Sequence, residues 1–174
     1  MKLNIGAGRK TKEGYKQLDI VAFPDIDYVC TAWEIPVVDG VVEEIYARHF
    51  LEHVTPEEAD KTLVEWRRVL KNGGFVHIIL PDLSYHCRQM FWDGNAKISK
   101  RFGRAVSNLD HAMHSIYGWA PGAMSHKWGY TATTLEALLL KHGFSRLKFD
   151  TGCEWDLNVT AYKGELEAPT PERK

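Results

Sequence analysis

The stretch KLNIGAG, residues 2–8, decides the fold of this chain. Its short apolar run meets Gly6 and Gly8, as a buried parallel strand does when it turns towards a helix or a loop. A second apolar run, YKQLDI, carries Asp19 near its end. A carboxylate there can accept hydrogen bonds from both hydroxyls of a ribose. The two runs together predict a nucleoside site at one edge of a parallel sheet.

The glycine turn departs from the pattern of dinucleotide-binding proteins. Thr11 stands where GxGxxG has its third glycine, and Asp19 follows sooner than the roughly 20 residues expected in nicotinamide-binding proteins. A pyrophosphate therefore has no evident cradle, and a nucleoside without phosphates suits the turn better. A nicotinamide-dependent oxidoreductase remains the less favoured alternative.

Strand and helix patterns alternate after this start. Apolar runs near residues 28–30, 44–47 and 75–81 predict three further strands. Thr55, Pro56 and Glu58 predict a helix start with a capping box and proline at the first helical position. The helix is expected to bury a stripe of four residues and to stop at the turn 72–74. The stripe consists of Ala59, Leu63, Trp66 and Leu70.

The second half of the chain predicts one more helix and two strands. A helix follows Thr131 and is closed by Gly143, and the runs 144–150 and 155–164 alternate as strands, the last of them closing an edge of the sheet. Residues 84–127 break the pattern and predict one or two helices near the carboxyl edge. Within them the basic residues of KISKRFGR, at spacings of three and four, predict one charged helix face.

These elements predict the α/β class, as a Rossmann-like three-layer α/β/α sandwich. Its sheet is expected to be mostly parallel with an antiparallel edge strand, and a helical insert at about 84–127 follows the fifth strand. The length of 174 residues fits a single domain, 1–165, with a flexible tail over 166–174.

Composition narrows the class of function. Three scattered cysteines without a CxxC pair count against a disulfide framework or thiolate metal site, and predict a cytoplasmic location. The sequence shows neither the pattern of a leader sequence nor a long apolar run. We therefore expect neither export nor a membrane span. A net charge of −1 makes a nucleic-acid partner unlikely, so the predicted partner is a small-molecule acceptor. The chain is expected to be a monomer or a homodimer.

Five segments taken in order resemble the small class I S-adenosylmethionine-dependent methyltransferases of the type 11 kind. The resemblance covers nearly the whole chain except the insert. It implies transfer of a methyl group from S-adenosylmethionine to a small-molecule or saccharide-type acceptor by in-line displacement, with S-adenosylhomocysteine as the product. The segments are LNIGAGRK, LDI, VCTAWEIPVVDGVVEEIYARHFLEHV, EWRRVLKNGGFVHIILPD and HKWGYTATTLEALLLKHGF.

The resemblance also implies where this cofactor lies. Its methionine would lie over Gly6 and Gly8, its ribose on Asp19 and its adenine beside Trp33. Thr31 stands where family members commonly have an acidic residue, so adenine recognition is expected to rest on the Thr31 hydroxyl, backbone groups and stacking. The predicted cofactor-binding set is Asn4, Gly6, Ala7, Gly8, Asp19, Ile20, Thr31, Ala32, Trp33, Ala47 and His49.

Several of these residues also have purely structural interpretations. The glycines allow a tight turn, Asp19 suits a cap or turn, and Trp33 suits the core. Glu52 and His53 look catalytic, yet we predict that they fix the loop before Thr55. A degenerate cofactor-binding module that acts with a partner is therefore a further alternative.

Transfer to an oxygen or nitrogen acceptor would benefit from a base, for which histidine is best matched near neutral pH. The predicted catalytic residues are His49, Asp82 and His126. We expect the acceptor between residues 81–86 and 125–130, where aromatic and histidine residues bracket the insert. The predicted acceptor-binding set is Asp82, Tyr85, His86, His126, Trp128 and Tyr130.

No metal site is predicted from the sequence. His111 and His114 lie three residues apart, as two ligands on one helical face would, and His86 or His126 would be their partners. No third and fourth ligand has convincing spacing, so the sequence favours a site without metal.

Overall fold

The computed structural model describes residues 1–93, 97–101, 104–118, 125–150 and 154–164. The described strands are β1 Lys2–Ile5, β2 Lys16–Asp19, β3 Tyr28–Val29, β4 Val42–Arg48, β5 Leu70–Pro81, β6 Lys97–Arg101, β7 Arg104–Ser107, β8 Phe144–Asp150 and β9 Asp156–Lys163. The described helices are α1 Pro56–Val69, α2 Leu83–Asp93, α3 Asn108–Tyr117 and α4 Ala132–Lys141, together with the short 3₁₀ helix Leu51–His53.

Seven strands form one sheet in the order β3-β2-β1-β4-β5-β9-β8. Strands β1 to β5 pair in parallel, and β9 runs antiparallel to both of its neighbours. This confirms the Rossmann-like α/β architecture with its mostly parallel sheet. The order changes direction between β1 and β4, which is where sheets of this kind bind ligands beyond the carboxyl ends of their strands.

The antiparallel pairing lies at the edge of the sheet, but the final strand does not close that edge as expected. β9 lies between β5 and β8, and β8 is the edge strand. Leu157, Val159 and Ala161 alternate along β9 and are at most 7% exposed, so one face of this strand packs on the core. Alternation alone does not reveal which of two adjacent strands is central.

Helix α1 confirms its predicted start and its predicted stripe. The Thr55 side chain accepts a hydrogen bond from the Glu58 backbone N at 3.2 Å, and Glu58 Oε2 accepts from the Thr55 backbone N at 2.8 Å. Pro56 occupies the first helical position. The four residues of the stripe are fully buried. The helix ends at Val69, before the predicted turn at 72–74, so that Leu70 and Gly73, the latter with a φ of +74°, lie in β5.

The segment between β5 and α4 contains the predicted helical insert. Helices α2 and α3 flank the antiparallel pair of strands β6 and β7, in which Arg101 pairs with Arg104. The prediction of a charged helix face over Lys97, Lys100, Arg101 and Arg104 is therefore wrong, because these positions lie in two strands. Basic residues at helical spacing supply no apolar stripe, and a short helix without one has little to stabilise it. The predicted tail, 166–174, lies outside the described residues.

Helix α4 confirms the last predicted helix. It begins after the Thr131 capping box, buries Leu135 and Leu139, and is followed by Gly143 at a φ of +74°. Together with α1 and the sheet it encloses the core, in which Leu3, Ile45 and Ile78 are at most 1% exposed. Among the described helices, none combines the length and apolarity that a bilayer crossing requires.

Candidate functional site

Strand β1 ends in a glycine turn at the carboxyl edge of the sheet. Gly6 and Gly8 have φ values of +64° and +57°, a conformation that glycine adopts without steric cost. A Cβ atom on Gly6 would lie 3.0 Å from Cδ2 of Phe50. A Cβ atom on Gly8 would meet nothing within 4 Å in the part of the chain that is described. The turn thus packs tightly on one side and is open on the other.

The carboxylate of Asp19, at the end of β2, points at this turn. The Gly8 backbone N donates to Asp19 Oδ2 at 2.9 Å, and the Val21 backbone N donates to Oδ1 at 2.9 Å. Each carboxylate oxygen has a second lone pair that can accept another hydrogen bond. Asp19 is also partly exposed. Its position meets the requirement for a residue that binds a ribose at the neighbouring strand.

The loop after β3 carries apolar side chains and one buried hydroxyl, that of Thr31. Ala32 is buried, and Trp33 is partly buried against the core. The Thr31 hydroxyl is buried and has no hydrogen-bond partner within the described residues. Ile20, at the end of β2, is 61% exposed. An unpartnered hydroxyl beside apolar side chains fits the polar edge of a nucleobase.

Two other residues of the predicted cofactor set lie within the sheet. Asn4 is buried in β1 and donates through Nδ2 to Gln17 Oε1 at 2.6 Å, so its amide ties β1 to β2. Ala47 is buried near the end of β4 and pairs with Ile5 of β1. The small side chain of Ala47 thus lies beside the start of the glycine turn.

His49 follows β4 and adopts a φ of +51°, which is uncommon for a residue other than glycine. Its Nδ1 lies 3.1 Å from Glu52 Oε1, and its Nε2 lies 3.8 Å from Asp156 Oδ2. An ionised carboxylate only accepts hydrogen bonds, so Nδ1 carries the proton in the pair with Glu52. Nε2 is then the nitrogen that can take up a further proton.

Glu52, His53 and His126 form a second group beside His49. One potential ligand atom of each residue lies within 4.8 Å of the other two. Glu52 is only 2% exposed. The two imidazole rings meet edge to face with centroids 4.8 Å apart. Burial lowers the pKa of His53, the nearby carboxylate of Glu52 opposes this effect, and His126 adds to it.

The two predicted halves of the acceptor region come together in the structure. Lys127 and Trp128 donate through their backbone N atoms to the carbonyl oxygen of Glu52, at 2.7 and 3.2 Å. Asp82 and Tyr130 form an isolated parallel bridge. The segments 81–86 and 125–130 therefore lie side by side next to the carboxyl ends of β4 and β5.

Not all the predicted acceptor residues are accessible. His86 and Tyr130 are 2% and 3% exposed, whereas Trp128 is 51% exposed. Burial and the charge of Glu52 raise the pKa of Tyr130 to about 12. Asp82 accepts a hydrogen bond from the Ser84 backbone N at 2.9 Å and so caps the start of α2. Tyr85 is partly buried, with its ring 5.4 Å from that of His86.

Two features of this region were not predicted from the sequence: the position of Asp156 and the contact of Glu52 and His53 with His126. Asp156 faces His49 because β9 runs antiparallel to β5 and pairs Asp156 with Pro81 at the carboxyl edge. Glu52 and His53 were predicted only to fix a loop, but they also meet His126, which is 73 residues beyond His53 in the sequence. Neither the segment LEH, residues 51–53, nor the segment SHKW, residues 125–128, indicates this contact in the sequence.

Comparisons with known proteins agree with the fold. Residues 6–78 match the family described as "Methyltransferase domain". No curated protein matches the chain. The structure resembles the 1,6-didemethyltoxoflavin-N1-methyltransferase of Burkholderia thailandensis, solved with 1,6-didemethyltoxoflavin and S-adenosylhomocysteine, with a TM-score of 0.63, 16% identity, and coverage of 94% of this chain and 71% of that chain.

Two further solved structures resemble the chain over the same extent. A S-adenosylmethionine-dependent methyltransferase of Methanosarcina mazei has a TM-score of 0.59 and 16% identity, covering 94% of this chain and 92% of that one. Human N-acetylserotonin methyltransferase, in complex with S-adenosylmethionine, has a TM-score of 0.55 and 15% identity, covering 94% and 47%. These findings show that the chain has the Rossmann-like methyltransferase fold and that residues 6–78 are similar to the methyltransferase-domain family.

Proposed function

We propose that the chain transfers a methyl group to a small-molecule or saccharide-type acceptor by in-line displacement. The reaction would take place in the crevice between the glycine turn and His49. The observation that carries this proposal is the Asp19 carboxylate, 2.9 Å from the Gly8 backbone N beside a turn without a pyrophosphate cradle. The Burkholderia neighbour, solved with the small molecule 1,6-didemethyltoxoflavin, supports a small-molecule acceptor.

The residues present fit S-adenosylmethionine, whose sulfonium supplies an already activated methyl group. Asp19 would accept hydrogen bonds from the ribose hydroxyls through the lone pairs that Gly8 and Val21 leave open. The open side of Gly8 would let the backbone approach the methionine portion. The unpartnered Thr31 hydroxyl, with Trp33 beside it, would meet the adenine.

We further propose His49 as the base that takes the proton of an oxygen or nitrogen acceptor. Glu52 orients the ring through Nδ1, and the carboxylates of Glu52 and Asp156 flank both ring nitrogens. Nε2 would accept the acceptor's proton while Glu52 holds the ring in place. The predicted catalytic residue Asp82 has less support, because it caps α2. His126 stays a second candidate base, since the Ser115 carbonyl oxygen accepts from its Nδ1 and leaves Nε2 to take a proton.

For the acceptor itself we propose the surface formed by the segments 81–86 and 125–130. Trp128 offers an exposed aromatic face there, and the half-buried Tyr85 and His126 lie in the same two segments. An aromatic ring can stack on a planar small molecule or cover the apolar face of a sugar. The buried His86 and Tyr130 would support this surface from below.

Thermal melting with four ligands tests the cofactor assignment. S-adenosylhomocysteine and S-adenosylmethionine should raise the melting temperature, since a ligand at about 100 times its Kd adds about 2.7 kcal/mol of stability. NAD and NADP should have no effect. A shift with the nicotinamide cofactors alone would overturn the proposal. Incubation with methyl-labelled cofactor and candidate acceptors then separates an active enzyme from a degenerate binding module.

Asp19→Asn provides the decisive variant. Loss of the charge should weaken binding of S-adenosylhomocysteine at least about 10-fold, because hydrogen bonds to a charged group contribute roughly 1.5–3 kcal/mol. Glu13→Gln makes the same chemical change at an exposed position between β1 and β2 and should bind normally. Calorimetric titration compares the two. Equal Kd values for the two variants would remove Asp19 from the site.

A further inference from the structure

We propose that Glu52, His53 and His126 bind one divalent first-row transition-metal ion of the zinc type. Two imidazoles and one carboxylate would be the protein ligands, and their three potential ligand atoms lie within 4.8 Å of one another. The sequence predicted no metal here, because the three residues come from the 3₁₀ helix Leu51–His53 and from a segment far along the chain. The inference does not depend on the proposed methyl transfer.

Both imidazoles are oriented as metal ligands usually are. His53 Nδ1 lies 3.2 Å from the Ser125 carbonyl oxygen, and His126 Nδ1 lies 2.8 Å from that of Ser115. A carbonyl oxygen only accepts, so each Nδ1 must donate its proton. In the neutral rings, Nε2 then carries a lone pair. Metal-bound histidines commonly make this second hydrogen bond, which fixes the tautomer and orients the ring.

Glu52 supplies an independent sign of a missing partner. Its side chain is 2% exposed, and Oε2 has no hydrogen-bond partner within the described residues. Leaving a buried carboxylate oxygen unpaired is costly, more so than for a neutral group. Oε1 is occupied by His49 at 3.1 Å. A cation bound at Oε2 would compensate the buried charge and leave the contact with His49 intact.

The backbone around the three ligands is held together by direct hydrogen bonds. Lys127 and Trp128 donate to the carbonyl oxygen of Glu52, which fixes the segment carrying His126 against the 3₁₀ helix. Lys127 Nζ also reaches Glu58 Oε2 at 3.1 Å, at the start of α1. The fold itself therefore brings the three ligands together. A metal site that forms before the ion binds requires this arrangement.

The spacing of the ligand atoms suits an ion after a small contraction. In a tetrahedral site with bonds of about 2.0–2.1 Å, ligand atoms are ~3.4 Å apart. From a separation of at most 4.8 Å, closure needs each atom to move by less than about 1 Å, which small side-chain rotations provide. A fourth position would remain for water or another ligand.

The donor set selects the class of ion. Imidazole nitrogen with one carboxylate suits zinc and its neighbours such as Co²⁺, whereas Mg²⁺ and Ca²⁺ prefer oxygen ligands alone. We therefore expect Zn²⁺ and Co²⁺ to bind and Mg²⁺ to be excluded. Because Glu52 contacts His49 through its other oxygen, the bound ion would also fix the carboxylate that orients His49.

Metal titration of the chelator-treated full chain tests the site directly. Calorimetry with Zn²⁺ should give one ion per chain, and Co²⁺ should give the intense visible absorption of a tetrahedral site. Glu52→Gln and His126→Gln should each weaken Zn²⁺ binding by about 100-fold or more, since even groups that only orient the ligands cost roughly 10–100-fold. Circular dichroism confirms that each variant is folded.

His142→Ala is the matched control, because His142 also pairs with a carboxylate, Asp60, at 2.6 Å but lies outside the group. It should bind Zn²⁺ as the unaltered chain does. Absence of stoichiometric Zn²⁺ uptake by the unaltered chain would overturn the inference, as would equal uptake by the folded His126→Gln variant. If Glu52→Gln does not fold, Zn²⁺ binding by the unaltered chain and by His126→Gln tests the inference. Binding of S-adenosylhomocysteine, measured in parallel, reports separately on the proposed function.

Discussion

At the scale of single residues, the crevice depends on backbone conformations that few side chains tolerate. Gly6 and His49 both adopt positive φ values, at the ends of the adjacent strands β1 and β4. Phe50 follows His49 and packs against Gly6. The two loops that border the proposed site therefore constrain each other. Substitutions at the two positions should have distinguishable effects.

Gly6→Ala should reduce both stability and cofactor binding. The new Cβ atom would lie 3.0 Å from Phe50 Cδ2, in addition to the strain of a left-handed backbone. Gly40→Ala is the control, because Gly40 has a similar φ of +70° and an added Cβ would meet nothing within 4 Å among the described residues. The control should cost roughly 1–2 kcal/mol of unfolding free energy. Gly6→Ala should cost more in chemical denaturation; equal losses would contradict the role of Phe50.

His49→Asn should lower kcat while the protein stays folded. Asparagine tolerates the left-handed region, so the loop is retained while the base is removed. If His49 takes the acceptor's proton, kcat should fall by about 10²- to 10⁴-fold. The assay is transfer of labelled methyl to an identified acceptor at several pH values. An unchanged kcat would show that His49 is not the base.

At the scale of elements, the start of helix α1 helps to position Glu52 and His53. Its first turn follows the 3₁₀ helix Leu51–His53, which carries both residues. Thr55→Ala removes one of the two reciprocal hydrogen bonds of the capping box and should cost about 1 kcal/mol of unfolding free energy. Thr133→Ala, at an exposed position inside α4, makes the same change without a cap and should be neutral or slightly stabilising. Thermal denaturation of both variants checks this. A similar loss in both would mean that the cap contributes little.

The elements that follow local rules could be predicted from the sequence. The capping residues at Thr55 and Thr131, the buried stripe of α1 and the glycine turn after β1 each depend on neighbours within a few positions. The central position of β9 and the antiparallel pairing of β6 with β7 do not, since they depend on which surfaces the rest of the chain leaves uncovered. Local patterns therefore predict which segments form strands and helices better than they predict the order of the strands in the sheet.

The same division applies to the candidate site. Asp19 could be placed at the glycine turn because parallel strands bring their carboxyl ends to one edge. The contact of His53 with His126 could not be predicted, because the 3₁₀ helix Leu51–His53 and a segment 73 residues away meet only in the folded chain. Side-chain groups of this kind need the tertiary structure.

At the scale of the whole molecule, ion pairs join α1 to distant parts of the chain. Arg68 donates to Glu65 at 2.7 Å, to the Ile35 carbonyl oxygen at 3.0 Å and to Asp39 at 2.6 Å. The Ile35 backbone N donates in turn to Glu65 Oε1 at 2.7 Å. The loop after β3, which carries the proposed adenine wall, is thereby fixed to the helix layer. Glu65, with a side chain 12% exposed, is the central acceptor.

Protonation of Glu65 at acidic pH should therefore lower the free energy of unfolding. The hydrogen bond from Arg68 holds the pKa of Glu65 below its ordinary value of 4.5, although partial burial opposes this effect. A lowered pKa in the folded state means that the stabilisation is fully present above pH 4.5 and is lost as the pH falls through the folded pKa. At pH 7, Glu65→Gln should cost roughly 1–2 kcal/mol of unfolding free energy.

The test compares urea denaturation of the unaltered chain and Glu65→Gln from pH 7 down to the acid range. The difference between their unfolding free energies should shrink below pH 4.5, because the unaltered chain then carries a protonated Glu65 as well. Glu57→Gln, at an exposed position in the first turn of the same helix, should show a smaller pH-dependent difference, since within the described residues its carboxylate interacts with the helix N-terminus alone. A gap for Glu65→Gln that stays constant across this range would mean that the loss comes from packing, and that the Arg68 pair does not fix the loop after β3 to α1.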